Sequence, residues 1–374
     1  MSHRLVRGAA LVAALASVVV ATGGCTDQAT ARAERDLLVG KALVGGVAFD
    51  VRHGLAAIRH QAPGELVLWL GAPSVVIDAE VPPQGHTSWR LELRNAMPGA
   101  TLAATASSTG TAIDVLEQAT ERPTRRAYQV ELPTDSQVTL TFGPPGAAQL
   151  APFSFAFMSD VQDGVDEVGD LVTRINAEPD VEFLLSAGDL TQVGSAEEME
   201  EFQYAIRGLE VPLFSTIGNH DAPPATPWHD WFGRGSFRFR YRDVLFSQVD
   251  SASATIAPMV YDWLEEWLDL GSQRVHVFTT HVPPIDPVGT RNGSFGSRGE
   301  AGKLLAMLAR GDVDLTLYGH IHSYYAFENA GIPAYISGGG GAFEEKIDGV
   351  GRHFMVIDVD PHRGLTGTRV VEVD

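Results

Sequence analysis

The sequence predicts an α/β domain preceded by a small all-β domain, and three observations predict it. In the second half, five short apolar runs (153–158, 181–185, 212–216, 275–279 and 315–318) each stop just before a polar cluster, and helix-like segments separate several of them. Strand, loop and helix in alternation build a sheet covered by helices. In residues 65–143, by contrast, short apolar runs alternate with turn residues such as Gly71-Ala72-Pro73 and Met97-Pro98-Gly99, the spacing of a β-sandwich. The 374 residues are 44% apolar and carry a net charge of −20. That suffices for packed cores and disfavours a protein that lives on nucleic-acid phosphates.

Taken in order, the chain opens on Arg4 and Arg7 followed by an uncharged apolar run at 9–21. The run is shorter than the roughly 18 residues of a membrane-spanning helix and has the form of a signal-peptide core. Thr22-Gly23-Gly24 then leads to Cys25, the single cysteine, which excludes an internal disulfide framework and a thiolate zinc cluster. Small residues before a cysteine resemble a bacterial lipoprotein processing site. The expectation is therefore a signal peptide at 1–24 and lipidation at Cys25, giving an exported, membrane-anchored protein of the cell envelope. Ordinary secretory cleavage to a soluble product is the alternative. Residues 25–63, weakly patterned, read as a tether with room for one short helix. Residues 64–146 read as the β-sandwich, where Trp89-Arg90-Leu91-Glu92-Leu93-Arg94 alternates with period two. The break at Gly143-Pro144-Pro145-Gly146 divides it from an α/β domain at 147–374.

The five polar clusters are Ser159-Asp160-Val161-Gln162, Gly188-Asp189-Leu190, Gly218-Asn219-His220-Asp221, Thr280-His281 and Gly319-His320-Ile321-His322. Each falls where a strand should end, and in open α/β sheets the loops beyond the carboxyl ends of strands carry the chemistry. Carboxylate, amide and imidazole ligands without thiolate suit Mn, Fe or Zn. A carboxylate can bridge two such ions about 3.5–4 Å apart, a pair that clamps both oxygens of an in-line displacement. The histidines of His320-Ile321-His322, two apart on an extended segment, point the same way.

The order of these clusters resembles the calcineurin-like metallophosphoesterase superfamily, over about residues 153–360. The resemblance implies a four-layer α-β-β-α sandwich holding two divalent or trivalent metal ions. It also implies hydrolysis of a small phosphate mono- or diester by in-line attack of hydroxide held at the metals. Asp189 would bridge the ions. Asp160 and His322 would hold the first, with Gln162 beside it, and Asn219, His281 and His320 would hold the second. His220 would stabilise phosphate charge or protonate the leaving oxygen, and Asp221 would orient that imidazole.

Two positions depart from the family pattern. The first cluster usually ends in His, where this chain has Gln162, a weaker ligand. Purple acid phosphatases, which also carry an N-terminal β-domain, place a metal-binding Tyr where this chain has Gln192. Among the remaining residues, 285–299 has the length of a lid, and its Arg291 and Arg298 are candidates for holding a substrate phosphate. Gly338-Gly339-Gly340-Gly341 implies a tight turn near the site, and His229 and His276 read as packed structural residues. The competing function is a non-catalytic binding module of the envelope with a degraded metal site. A nuclease is disfavoured by the acidity and the lack of a basic stripe beside the motifs.

Overall fold

A computed structural model describes residues 26–289, 293–345 and 349–373; the expected signal peptide, Cys25 and Arg291 lie outside them. Four β-sheets form two successive sandwiches. In the first, a six-stranded sheet is ordered Lys41–Val44, Val47–Val51, Val75–Val81, Ser136–Gly143, Thr101–Ala106, Thr111–Ile113. It faces a five-stranded sheet of Ala56–Ala62, Glu65–Leu70, Ser88–Arg94, Arg125–Glu131 and Val115–Gln118. Strands such as Val75–Val81 alternate buried and accessible residues, as a sheet with one face on a core requires.

The expected tether at 25–63 is corrected here. Val47–Val51 pairs with Val75–Val81, and Ala56–Ala62 pairs with Glu65–Leu70, so the β-sandwich begins at residue 41. Ahead of it, residues 26–36 form a helix. Its buried face is Ala29, Arg32, Ala33 and Asp36, at the i, i+3, i+4, i+7 spacing of a docked helix.

The second sandwich has two mixed sheets. One runs Leu213–Ser215, Val181–Ser186, Phe153–Met158, His353–Asp360, Gly364–Glu372, and its first three strands are parallel. The other runs Phe237–Tyr241, Val244–Val249, His276–Thr280, Leu315–Tyr318, Ile332–Ser337, Tyr324–Asn329, with four parallel strands at its centre. Inward residues interlock as aromatics: Phe155 stacks on Phe183 at 5.5 Å and Phe239 on Phe246 at 4.9 Å. Outward residues of the same strands, Ala156 and Met158, pack beneath helix Val168–Asn176 through Val168, Leu171 and Ile175. Helices Pro258–Gly271 and Arg298–Arg310 cover the other sheet. The central strands are thus covered on both faces and read as continuous apolar runs, while the edge strands Tyr324–Asn329 and Gly364–Glu372 stay largely accessible.

Capping fixes where the helices start. Ser195 accepts from the amide of Glu198, whose carboxylate accepts from the amides of Val193 and Gly194, much as in a capping box. Ser297 accepts from the amide of Glu300 in the same way. The two sandwiches are stitched at Asn95, whose amide nitrogen donates to the carbonyls of Leu70 and Leu213 while its oxygen accepts from the amide of Leu213.

Candidate metal centre

Strands ending at Met158, Ser186 and Ser215 in one sheet, and at Thr280 and Tyr318 in the other, deliver the five clusters to one edge of the second sandwich. The turns that follow are sharp. Asp160, Gln162, Asp189 and His320 all have positive φ, a left-handed backbone rare outside glycine and held in place only by surrounding structure. Gly188 (φ +101°) lets two of these turns touch, since a Cβ there would lie 2.3 Å from the amide nitrogen of Gly218. The glycine run also meets its expectation: the amide of Gly340 donates to the carbonyl of Ser159 and that of Ala342 to the carbonyl of Asp160.

One oxygen or nitrogen from each of Asp160, Asp189 and His281 lies within 4.8 Å of the others, all buried. His322 Nε2 is 3.6 Å from Asp160 Oδ1, and the Gln162 amide donates to Asp189 Oδ2 at 2.9 Å and to His322 Nε2 at 3.2 Å. Across the sheets, Asn219 Oδ1 sits 2.8 Å from both His281 Nε2 and His320 Nδ1, and His281 Nε2 is 3.3 Å from Asp189 Oδ2. The seven residues expected to ligate metals are therefore brought together, with Asp189 between the two subsets.

The donor set fits the binding of metal cations. His281 Nδ1 donates to the carbonyl of Ala187 and His322 Nδ1 to that of Phe343. That leaves each Nε2 turned into the cluster, the arrangement in which imidazole ligates metal. Gln162 presents its NH₂ to Asp189, and a half-turn of the amide would present its oxygen to the same position. The electrostatics point the same way. Burial pushes the Asp160 carboxyl up against the opposing pull of His281 and His322, and the neighbouring Asp189 raises it further. For Asp189, His281 overrides burial and holds the carboxyl down at about 2. Burial lowers His281, but Asp189 and Asp160 outweigh it and raise the imidazole to about 9, so the two carboxylates draw positive charge to this point.

Asp221 departs from its expected role. Its carboxylate accepts from the amides of Gly218 and Thr191 at 3.0 and 2.9 Å and from the Thr191 hydroxyl at 2.8 Å. Burial and the nearby Asp189 push it up to about 6. The imidazole of His220 is held instead by the carbonyl of Gln192, which accepts from Nδ1 at 2.7 Å, while the His220 amide donates to Asp189 Oδ1. Asp221 thus knits the turns that follow Asp189 and precede Asn219 together and leaves the orienting of His220 to the main chain at 192. Ser159, whose hydroxyl donates to Asp160 Oδ2, Thr191 and the carbonyls of Ala187, Gln192 and Phe343 are the supporting groups to which the sequence assigned no role. Three of the five are main-chain atoms that any residue carries.

Of the remaining candidates, Arg298 is exposed on the first turn of its helix. Asp286 accepts from the amides of Val288, Gly289 and Gly293 and so shapes the segment leading there. His276 is a buried strand residue bonded to Ser247. His229 is buried too, but its partner is Asp36 of the first helix rather than the aromatics alone.

Comparison with known proteins agrees with this geometry. A 3′,5′-cyclic-nucleotide phosphodiesterase of Nostoc sp. is 26% identical over 160 residues, 39% of this chain. The chain thus spans 58% of that relative's length. The purple acid phosphatase of yellow lupin (Lupinus luteus) seeds superposes with a TM-score of 0.51, covering 81% of this chain and 72% of that one at 13% identity, a likeness of fold. Residues 153–324 match the model of the calcineurin-like phosphoesterase family. All five clusters fall inside that span, so the match of this segment to the calcineurin-like phosphoesterases takes in every candidate ligand.

Proposed function

We propose that the protein is a metal-dependent phosphoric ester hydrolase that cleaves a small phosphate mono- or diester. The observation carrying this reading is the buried convergence of Asp160, Asp189 and His281 within 4.8 Å, flanked by four further ligand side chains. Asp160, Gln162, Asp189 and His322 would hold one ion, and Asp189, Asn219, His281 and His320 the other. Two such ions, when bound, would supply Lewis-acid polarisation of the phosphoryl oxygens and water acidic enough to attack near neutral pH. The chain's own groups do the rest. The carbonyl of Gln192 fixes the His220 ring by accepting from Nδ1, which leaves Nε2 to meet phosphate charge or to pass a proton to the leaving oxygen. Asp221, through Thr191 and Gly218, keeps the turns of Asp189 and Asn219 in register.

The Nostoc relative makes a 3′,5′-cyclic nucleotide the first diester to test. The reading extends to location: export by the segment at 1–24 and lipid anchoring at Cys25. The experiment is a phosphoester panel on the purified chain with metals counted in the same preparation. Turnover should need about two ions per chain and fall by about 10³-fold or more in Asp189→Ala and His281→Ala. Activity that survives chelation and both substitutions refutes the hydrolase; one ion per chain with no turnover on any ester favours the binding module.

A further inference from the structure

A second concentration of charge stands apart from the metal centre. Arg59, Arg94, Arg122, Arg125 and Arg207 line one cavity of about 330 Å³ between the sandwiches, in a chain whose net charge is −20. One wall is residues 200–211, which lead into the amino end of the strand Leu213–Ser215. Asn219 and the metal centre lie beyond that strand's other end. The opposite wall comes from the middle of strand Ala56–Ala62 and the ends of strands Ser88–Arg94 and Arg125–Glu131.

The arginines divide into two groups. Arg94 and Arg125 are paired with Glu92 at 2.8 Å each. Arg59, Arg122 and Arg207 form no ion pair among the described residues. Arg59 lies 3.4 Å over the ring of Trp231, donates through Nη1 to the carbonyl of Asp230, and keeps a buried Nε with no hydrogen-bond partner. Burial first, and Arg94 beside it second, push its guanidinium down to about 10. Arg207 lies 3.6 Å over the ring of Tyr204, tied to that residue's carbonyl. Stacking holds both guanidinium planes before any ligand arrives, so less side-chain entropy remains to be lost on binding. Against these three forks the lining supplies one carboxylate, Glu200.

We propose that this cleft is a second, non-catalytic binding site for a small phosphate-bearing anion of at least two negative charges, held by Arg59, Arg122 and Arg207. Guanidinium forks match phosphate oxygens two at a time, and the volume is that of a small-ligand pocket. The inference does not depend on the chemistry at the metal centre.

The test is calorimetric titration of the full chain with inorganic pyrophosphate in the presence of a chelator. One equivalent should bind, with affinity unchanged in Asp189→Asn/His281→Ala and at least tenfold weaker in Arg59→Gln/Arg122→Gln/Arg207→Gln. Should the triple variant fail to fold, Arg122→Glu/Arg207→Glu, both at exposed positions, should show the same weakening. Adenosine 5′-diphosphate binding more tightly than pyrophosphate identifies a nucleotide as the source of the diphosphate, and equal binding identifies the free anion. Absence of binding, binding lost in the metal-centre variant but kept in the arginine variants, or citrate binding as well as pyrophosphate would each overturn the proposal.

Discussion

His220 and Asp221 are neighbours in sequence with separable duties. His220 has its Nδ1 on the carbonyl of Gln192 and is partly accessible, so His220→Asn should lower kcat by about 10²–10⁴-fold, as for a general acid, without moving the thermal midpoint. Asp221→Asn turns an NH₂ toward donors from Gly218 and Thr191. It should destabilise the fold by about 1–3 kcal/mol and weaken metal binding. Calorimetric melting beside steady-state kinetics on both variants tells the duties apart. The seven converging candidates were legible in the sequence because carboxylate, amide and imidazole side chains announce their own chemistry. The holder of His220 was not, because a carbonyl at position 192 looks the same whatever residue bears it.

At the scale of the element, the helix at 26–36 is the least legible part of the fold and among the most firmly held. Arg32 makes a two-point pair with Asp250 at 2.6 and 3.0 Å, and Asp36 accepts from the amides of Gly235 and Ser236 and lies 3.1 Å from His229 Nε2. Two of the four residues on its buried face are charged, so an apolar stripe never appears in the sequence and the segment passes for a tether. The strands at 41–62 were hidden for a related reason. Lys41–Val44 buries none of its residues, and Ala56–Ala62 carries Arg59, His60 and Gln61, so neither alternates cleanly. The central strands of the second sandwich, such as Phe153–Met158 and His276–Thr280, were plain because they are covered on both faces; edge strands such as Gly364–Glu372, largely accessible, were not. Arg32→Ala should destabilise by about 3–5 kcal/mol, since it strands the buried carboxylate of Asp250. Arg32→Ala/Asp250→Ala should recover much of that loss, read from urea unfolding midpoints.

For the molecule as a whole, Glu92 is the carboxylate about which the wall of the first sandwich is organised. It is buried at 2% exposure and meets Arg90, Arg94 and Arg125. Burial pushes its carboxyl up, but hydrogen bonds from Arg125 and Arg94 outweigh this and hold it down at about 2, against an ordinary 4.5. A carboxyl depressed by folding stabilises fully above the unfolded value and loses that contribution as pH falls through the folded one. Stability should therefore decline between about pH 4.5 and about pH 2 more steeply in the native chain than in Glu92→Gln. Melting temperatures measured across that window check the sign. Because two of these arginines also line the cleft, acid should loosen the junction of the sandwiches first.

The docked first helix has one more consequence. Its described residues start at 26, next in the chain to Cys25, and its Arg35 reaches the carbonyl of Thr226 in the stretch just beyond His220. If Cys25 bears a lipid as proposed, the mooring has no slack. The hydrolase would ride at a fixed tilt against the bilayer, drawing its esters from the thin layer of fluid at that surface. Splicing a long pliant spacer between residues 25 and 26 would then change which substrates it meets without altering a single atom of the metal-binding edge.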